Sequence, residues 1–241
     1  MTVGKLYFQQ WLAGRDFGQK DMNAAQMANF VYAIGDADTR ECVLVDPAWD
    51  VDGLLEQLES DGMRLVGALA THYHPDHVGG SMFGIHVEGL QRLMEKQPVP
   101  VHVQREEANG MRHVTQLSAS DFVQHDADDR LEVGTVRIRL LHTPGHTPGS
   151  QCFLVADRLV AGDTLFVQGC GRVDLPGGDA GEMYRTLTQR LAKLPDNVLL
   201  YPGHHYADKP HSTLGDARRT NYALQVQTLD DWMRLMGGSS F

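Results

Sequence analysis

Apolar and polar positions divide the chain into short buried runs separated by amphipathic stretches. CVLVD (42–46), LVGALA (65–70), VPVHV (99–103), VRIRLL (136–141), CFLVA (152–156), DRLVAGD (157–163) and NVLLYPG (197–203) are apolar runs bounded by turn-forming residues. Short runs of this kind, rich in Val and Leu, predict buried strands. In VDGLLEQLESDG (51–62), Val51, Leu54, Leu55 and Leu58 recur at helical spacing, and segments 84–96 and 181–194 read the same way. Strands mixed with helices of this length predict an α/β protein. No repeat, low-complexity segment or flexible linker interrupts the pattern, so one domain is expected over residues 1–241.

Four of the apolar runs end directly on polar clusters. LVGALA leads into Thr71-His72-Tyr73-His74-Pro75-Asp76-His77, and VRIRLL into His142-Thr143-Pro144-Gly145-His146. DRLVA leads into Gly162-Asp163, and NVLL into Tyr201-Pro202-Gly203-His204-His205. Loops that leave one edge of a sheet converge in space, and ligands of α/β proteins gather there. Gly145, Gly162 and Gly203 each precede a candidate ligand, where glycine lets the backbone turn a side chain sharply inward. A lone histidine is ordinarily a surface or satisfied core residue, and His86, His102, His113, His125 and His211 take that reading. His142 and His205 adjoin candidate ligands but match no required position.

Imidazole and carboxylate groups together suit zinc, iron or manganese, with no thiolate placed to join them. The candidates are His72, His74, Asp76, His77, His146, Asp163 and His204. A single catalytic ion takes about three protein ligands plus water, so this set is too large for one ion. It suffices for two: His72, His74 and His146 around one, Asp76, His77 and His204 around the other, and Asp163 bridging. Two ions sharing a water would supply a bridging hydroxide at neutral pH.

Charge narrows the partners. With 31 acidic against 21 basic residues, the formal net charge is −10, which disfavours nucleic acid and anionic membranes. The adjacent Arg218 and Arg219 read as a solvated helix face. No apolar run reaches the ~18 residues of a membrane span, and MTVGKLYFQQWLAGRDFG lacks the apolar core of a signal peptide. The three cysteines, Cys42, Cys152 and Cys170, are too scattered for a disulfide framework or a metal knuckle. A cytoplasmic setting is expected.

H-x-H-x-D-H after a strand, then a histidine, an aspartate and a final histidine, resembles the metallo-β-lactamase superfamily from about Asn29 to Asn221. The resemblance implies an αββα sandwich with metals at one edge, and makes Asp46 the aspartate that supports the metal loop. GDTLFVQGCGRVDLPGGD (162–179) is similar both to the glyoxalase II, or hydroxyacylglutathione hydrolase, stretch and to that of the persulfide dioxygenases. LYPGHHYADKPHSTLGDARRTN (200–221) matches the closing segments of both. Arg172 stands where glyoxalase II carries a basic residue touching glutathione, which makes it a substrate-binding candidate. Its bland alternative is a surface arginine paired with Asp174 or Asp179. After Asn221 the chain reads Tyr-Ala-Leu-Gln rather than Pro-Phe-x-Arg and stops soon after Trp232. It therefore departs from the glutathione-clamping pattern. A longer segment near 81–98, with its helix over 85–96, reads as a packing helix, with a cover over the site as the alternative.

Two functions follow. The first is a dinuclear metal hydrolase cleaving a thioester, or related ester, of a small thiol. It uses two zinc ions or a Zn/Fe/Mn mixture, with Asp76 and Asp163 orienting the hydroxide and Arg172 steering the substrate. The alternative is a mononuclear Fe(II) persulfide dioxygenase using His72, His146 and Asp163. Nuclease activity conflicts with the acidic charge, and a β-lactamase of the H-x-H-x-D-H type does not normally carry the bridging aspartate.

Overall fold

Inside the apolar runs, alternate residues face opposite layers. The structure is a computed structural model and describes residues 5–237. Its first sheet contains β1 (Leu6–Leu12), β2 (Phe30–Asp36), β3 (Glu41–Val45) and β4 (Arg64–Leu69). After a hairpin of β5 (Gly80–Met82) and β6 (Ile85–Val87), this sheet continues with β7 (Val101–Gln104) and β8 (Phe122–His125). The second holds β9 (Arg130–Val133), β10 (Val136–His142), β11 (Gln151–Val155), β12 (Arg158–Gly162), β13 (Leu199–Pro202) and β14 (Ser212–Thr213), adjacent in that order.

Phe30, Tyr32 and Ile34 of β2 join Val43 and Val45 of β3 in a cluster with Val136, Ile138 and Leu140 of β10 and Phe153 of β11. This is the core between the sheets. Val31, Ala33, Cys42 and Leu44 point the other way. There they pack under α1 (Met22–Met27) and α2 (Val51–Ser60), and, beyond the single-turn α3 (Pro75–Val78), under α4 (Leu90–Lys96) and α5 (Ala108–Thr115). On the second sheet, Cys152, Leu159 and Ala161 face α6 (Ala180–Arg185), α7 (Leu214–Thr220), α8 (Tyr222–Gln225) and α9 (Leu229–Gly237). Strands buried on both faces need continuous apolar sequence. The result is the expected αββα sandwich.

Each predicted strand lies within a residue or two of an observed one. The helix over 85–96 is a correction, because Ile85–Val87 instead pairs antiparallel with Gly80–Met82. Phe83 and Gly84 both take positive φ, 49° and 80°, the geometry of a tight hairpin turn. The helix starts only at Leu90, and its Leu90 and Leu93 are fully buried in the outer core, as a packing helix requires. The segment 181–194 is helical from Ala180, capped by Asp179 accepting from the Glu182 N–H at 2.8 Å. It then loosens into a π turn and a 3-10 turn. Among the described residues, no helix is long and apolar enough to cross a membrane.

Candidate metal centre

Four strand ends deliver seven side chains to one place. The chain leaves β4 through His72 and His74 into α3, which carries Asp76 and His77. β10 leads to His146, β12 to Asp163 and β13 to His204. Backbone bonds stitch the two sheets together here: Gln151 N–H donates to the Thr71 carbonyl at 2.9 Å, and Phe30 N–H to the Gly203 carbonyl at 2.8 Å.

Two triads of donor atoms result. His72 Nε2 lies 3.1 Å from His74 Nδ1 and 3.2 Å from His146 Nε2, and the third edge is 2.9 Å. In the second triad, His77 Nε2 lies 3.2 Å from His204 Nε2, and each is 3.3 Å from Asp76 Oδ2. A tetrahedral ion with bonds of about 2.0–2.1 Å to nitrogen separates its ligand atoms by roughly 3.4 Å. Both triads approach that size.

Asp163 lies between them. Its Oδ2 is 3.6 Å from His146 Nε2, while its Oδ1 is 3.3 Å from His77 Nε2 and 3.4 Å from His204 Nε2. Oδ1 is buried and, among the described residues, has no hydrogen bond of normal geometry. A buried carboxylate oxygen without a donor, facing two nitrogen triads, fits divalent cations. Gly203 makes the approach possible, since a Cβ there would stand 2.4 Å from Asp163 Oδ1. Gly162, at φ +49°, likewise has no room for a side chain against Thr71.

Hydrogen-bond partners fix which ring nitrogen faces the centre. His146 Nδ1–H donates to the Arg172 carbonyl at 2.7 Å, and His204 Nδ1–H to the Met27 carbonyl at 2.9 Å. His77 Nδ1–H donates to Asp46 Oδ2 at 2.9 Å. Asp46 also accepts the Thr71 N–H at 2.7 Å and hydroxyl at 2.6 Å. With its proton committed, Thr71 Oγ1 accepts from His72 Nδ1–H at 3.0 Å. Each of these four histidines is left with Nε2 toward the centre, the arrangement metal-ligating histidines adopt.

The two triads differ electrostatically. Burial, then the neighbouring imidazoles, hold His72 well below the ordinary histidine range, and His74 is pushed down to about 4 by burial and His146. His146 is also lowered, chiefly by burial. At His77 burial works against the charged form, but Asp76 and Asp163 outweigh it and raise the group well above its usual range. His204 rises to about 9 for the same reason, with Asp163 overcoming burial. The first triad therefore offers neutral lone pairs, and the second must release protons to take a cation.

Arg172 lies apart from this cluster. Its guanidinium is exposed and grips Asp174 at 2.9 and 2.7 Å, while its carbonyl touches His146. Sequence reasoning did not single out Asn29 as a site residue. Its Nδ2 donates to Asp76 Oδ2 at 3.1 Å, and its Oδ1 accepts from Trp49 Nε1 at 3.0 Å. Nothing in the local sequence marks this asparagine, because a bridge to His204 across the sheets places it.

Comparison with known proteins identifies the family. The metallo-beta-lactamase superfamily model matches residues 26–204. The chain belongs to that superfamily. It is thus a metal-dependent enzyme of a superfamily that binds divalent ions such as zinc or iron. It is 32% identical over 212 residues to the mitochondrial persulfide dioxygenase ETHE1 of Homo sapiens, covering 86% of this chain and 76% of that one. It is 33% identical over 186 residues to a probable hydroxyacylglutathione hydrolase of Schizosaccharomyces pombe, covering 74% of this chain and 64% of the relative. The crystal structure of ETHE1 from Myxococcus xanthus superposes with a TM-score of 0.79 at 28% identity, covering 98% of this chain and 92% of that one. As a metallo-beta-lactamase superfamily member, the chain carries both donor triads at one sheet edge.

Proposed function

We propose that the protein is a dinuclear metal-dependent hydrolase that cleaves a thioester, or a related ester, of a small thiol. The observation that carries this reading is Asp163, whose two carboxylate oxygens face different donor sets, His146 at 3.6 Å and His77 at 3.3 Å. A carboxylate spanning two donor sets suits a pair of ions better than one. We assign His72, His74 and His146 to one ion, Asp76, His77 and His204 to the other, and Asp163 to both. Two zinc ions, or a mixture with iron or manganese, suit these donors. When bound, such ions lower the pKa of a shared water and polarise a carbonyl oxygen. Asn29 holds Asp76 in place by donating to its Oδ2. A thiol leaves readily because its pKa is about 8.5, so little acid assistance is needed.

Arg172, with Cys170, Tyr222 and Met236, lines a cavity of about 380 Å³. There its guanidinium steers an anionic thiol-derived substrate once the Asp174 pair opens. A small-molecule substrate suits the acidic chain better than nucleic acid or a membrane surface. Three unpaired cysteines agree with a reducing, cytoplasmic setting.

The similarity to persulfide dioxygenases supports a second reading, one Fe(II) on His72, His146 and Asp163. The deciding experiment is metal analysis by mass spectrometry on protein made in medium containing iron and zinc, paired with two assays. Two zinc ions per chain and thiol release from thioesters support the hydrolase. One iron per chain and oxygen uptake with a thiol persulfide transfer the assignment to the dioxygenase.

A further inference from the structure

Behind the first triad lies a buried carboxylate outside the seven-residue donor set. Glu107, 1% exposed, stands between a 3-10 turn after β7 and the start of α5. Its Oε2 accepts the Tyr73 backbone N–H at 2.8 Å, and Tyr73 is the residue between His72 and His74. Its Oε1 accepts the Thr147 hydroxyl at 2.6 Å and the Gly149 N–H at 2.7 Å, in the turn that follows His146. Thr147 also meets Ser150 Oγ at 2.7 Å, which stiffens that turn. A Cβ at Gly149 would lie 2.6 Å from Glu107 Cγ, so the turn can close on the carboxylate only as glycine. The Tyr73 ring is held separately. Gly110 of α5 lies against it with no room for a Cβ, and its hydroxyl donates to the Pro176 carbonyl at 2.8 Å.

His72 and His74 belong to the first sheet's loop, whereas His146 belongs to the second sheet's. Glu107 grips both loops, one with each oxygen. We propose that Glu107 is the positioning residue of the first metal site, setting the separation between the His72–His74 loop and His146. The proposal rests on reading His72, His74 and His146 as one metal site. Buried hydrogen-bond acceptors that fix ligand-bearing segments act on metal affinity without touching the ion.

The test is zinc binding by the full chain in competition with a chromophoric chelator, compared among wild type, E107Q, T147V and H74A. Glu107→Gln keeps the side chain's volume but turns an NH₂ group toward one of its three donors. One of the two zinc affinities is expected to fall by about 10–100-fold in E107Q, with the other unchanged. Thr147→Val, which removes one donor and leaves the carboxylate, is expected to weaken the same affinity by less. In the His74→Ala background, which lacks the first site, E107Q is expected to change nothing further. A lowered melting temperature with both affinities intact in E107Q would make Glu107 merely structural and overturn the proposal. Equal weakening of both sites would overturn it too. If E107Q does not fold, T147V alone decides, and unchanged affinities there refute the positioning role. H74A retaining both affinities would instead overturn the metal-site reading itself.

Discussion

Asp46 Oδ2 accepts the Nδ1–H of His77 at 2.9 Å, and through Thr71 the same carboxylate reaches His72 in the other triad. One buried aspartate thus orients a histidine of each site. Asp46 itself sits at φ 53°, a strained conformation for a side-chain-bearing residue, held by its N–H bond to the Leu69 carbonyl at 2.9 Å.

Asp46→Asn should therefore weaken zinc binding at both sites by about 10–100-fold, since an amide cannot accept all three donors. Chelator competition checks this. Unchanged affinity at either site would show that its histidine is oriented without Asp46.

Asp163→Ala should remove both ions together, because each site loses a ligand atom from the same carboxylate. Metal content per chain measured on purified protein is the readout. A variant that keeps both ions and full thioester turnover would refute the bridging assignment.

Much of this was legible in the sequence because strand ends and ligands are adjacent in it. The four polar clusters follow β4, β10, β12 and β13 directly, so period and punctuation located them. Asp46 came with the family resemblance. Asn29 and Glu107 were not legible, because contacts 47 and 40 residues away in sequence define their roles. The segment Phe30–Asp36 lies outside the apolar runs of the sequence pattern, although it forms β2, buried throughout. The hairpin at 80–87 defeated the helical spacing of 84–96 because Phe83 and Gly84 adopt left-handed turn geometry that apolar periodicity does not reveal.

Phe153 is fully buried between the sheets, beside Ile34 and Ile138. Phe153→Ala should cost about 3–5 kcal/mol, through lost burial and the cavity left behind. For a chain of this size that is a fall in melting temperature of about 6–20 °C by calorimetry. A fall of a degree or two would mean that the two sheets close over the gap.

Glu107 also predicts a pH dependence of stability. Burial, with a smaller push from the Glu106 charge, raises its carboxyl from 4.5 to about 7, against the pull of the Thr147, Gly149 and Tyr73 donors. Between those two values the folded chain holds a proton at Glu107 that the unfolded chain has released. Its contribution to stability is therefore fully present below about 4.5 and is lost as pH rises through about 7. Histidines and other carboxylates titrate too, but they are common to wild type and E107Q and largely cancel in the difference. The melting temperature of metal-free wild type, relative to metal-free E107Q, should thus decline as pH is raised through this interval and then level off. The ionised form is the one that can accept all three donors, so the same rise in pH that costs stability completes the tie between the two loops. A wild-type advantage that stayed constant or grew over that interval would place the Glu107 carboxyl at or below its ordinary value, with its three hydrogen bonds outweighing burial.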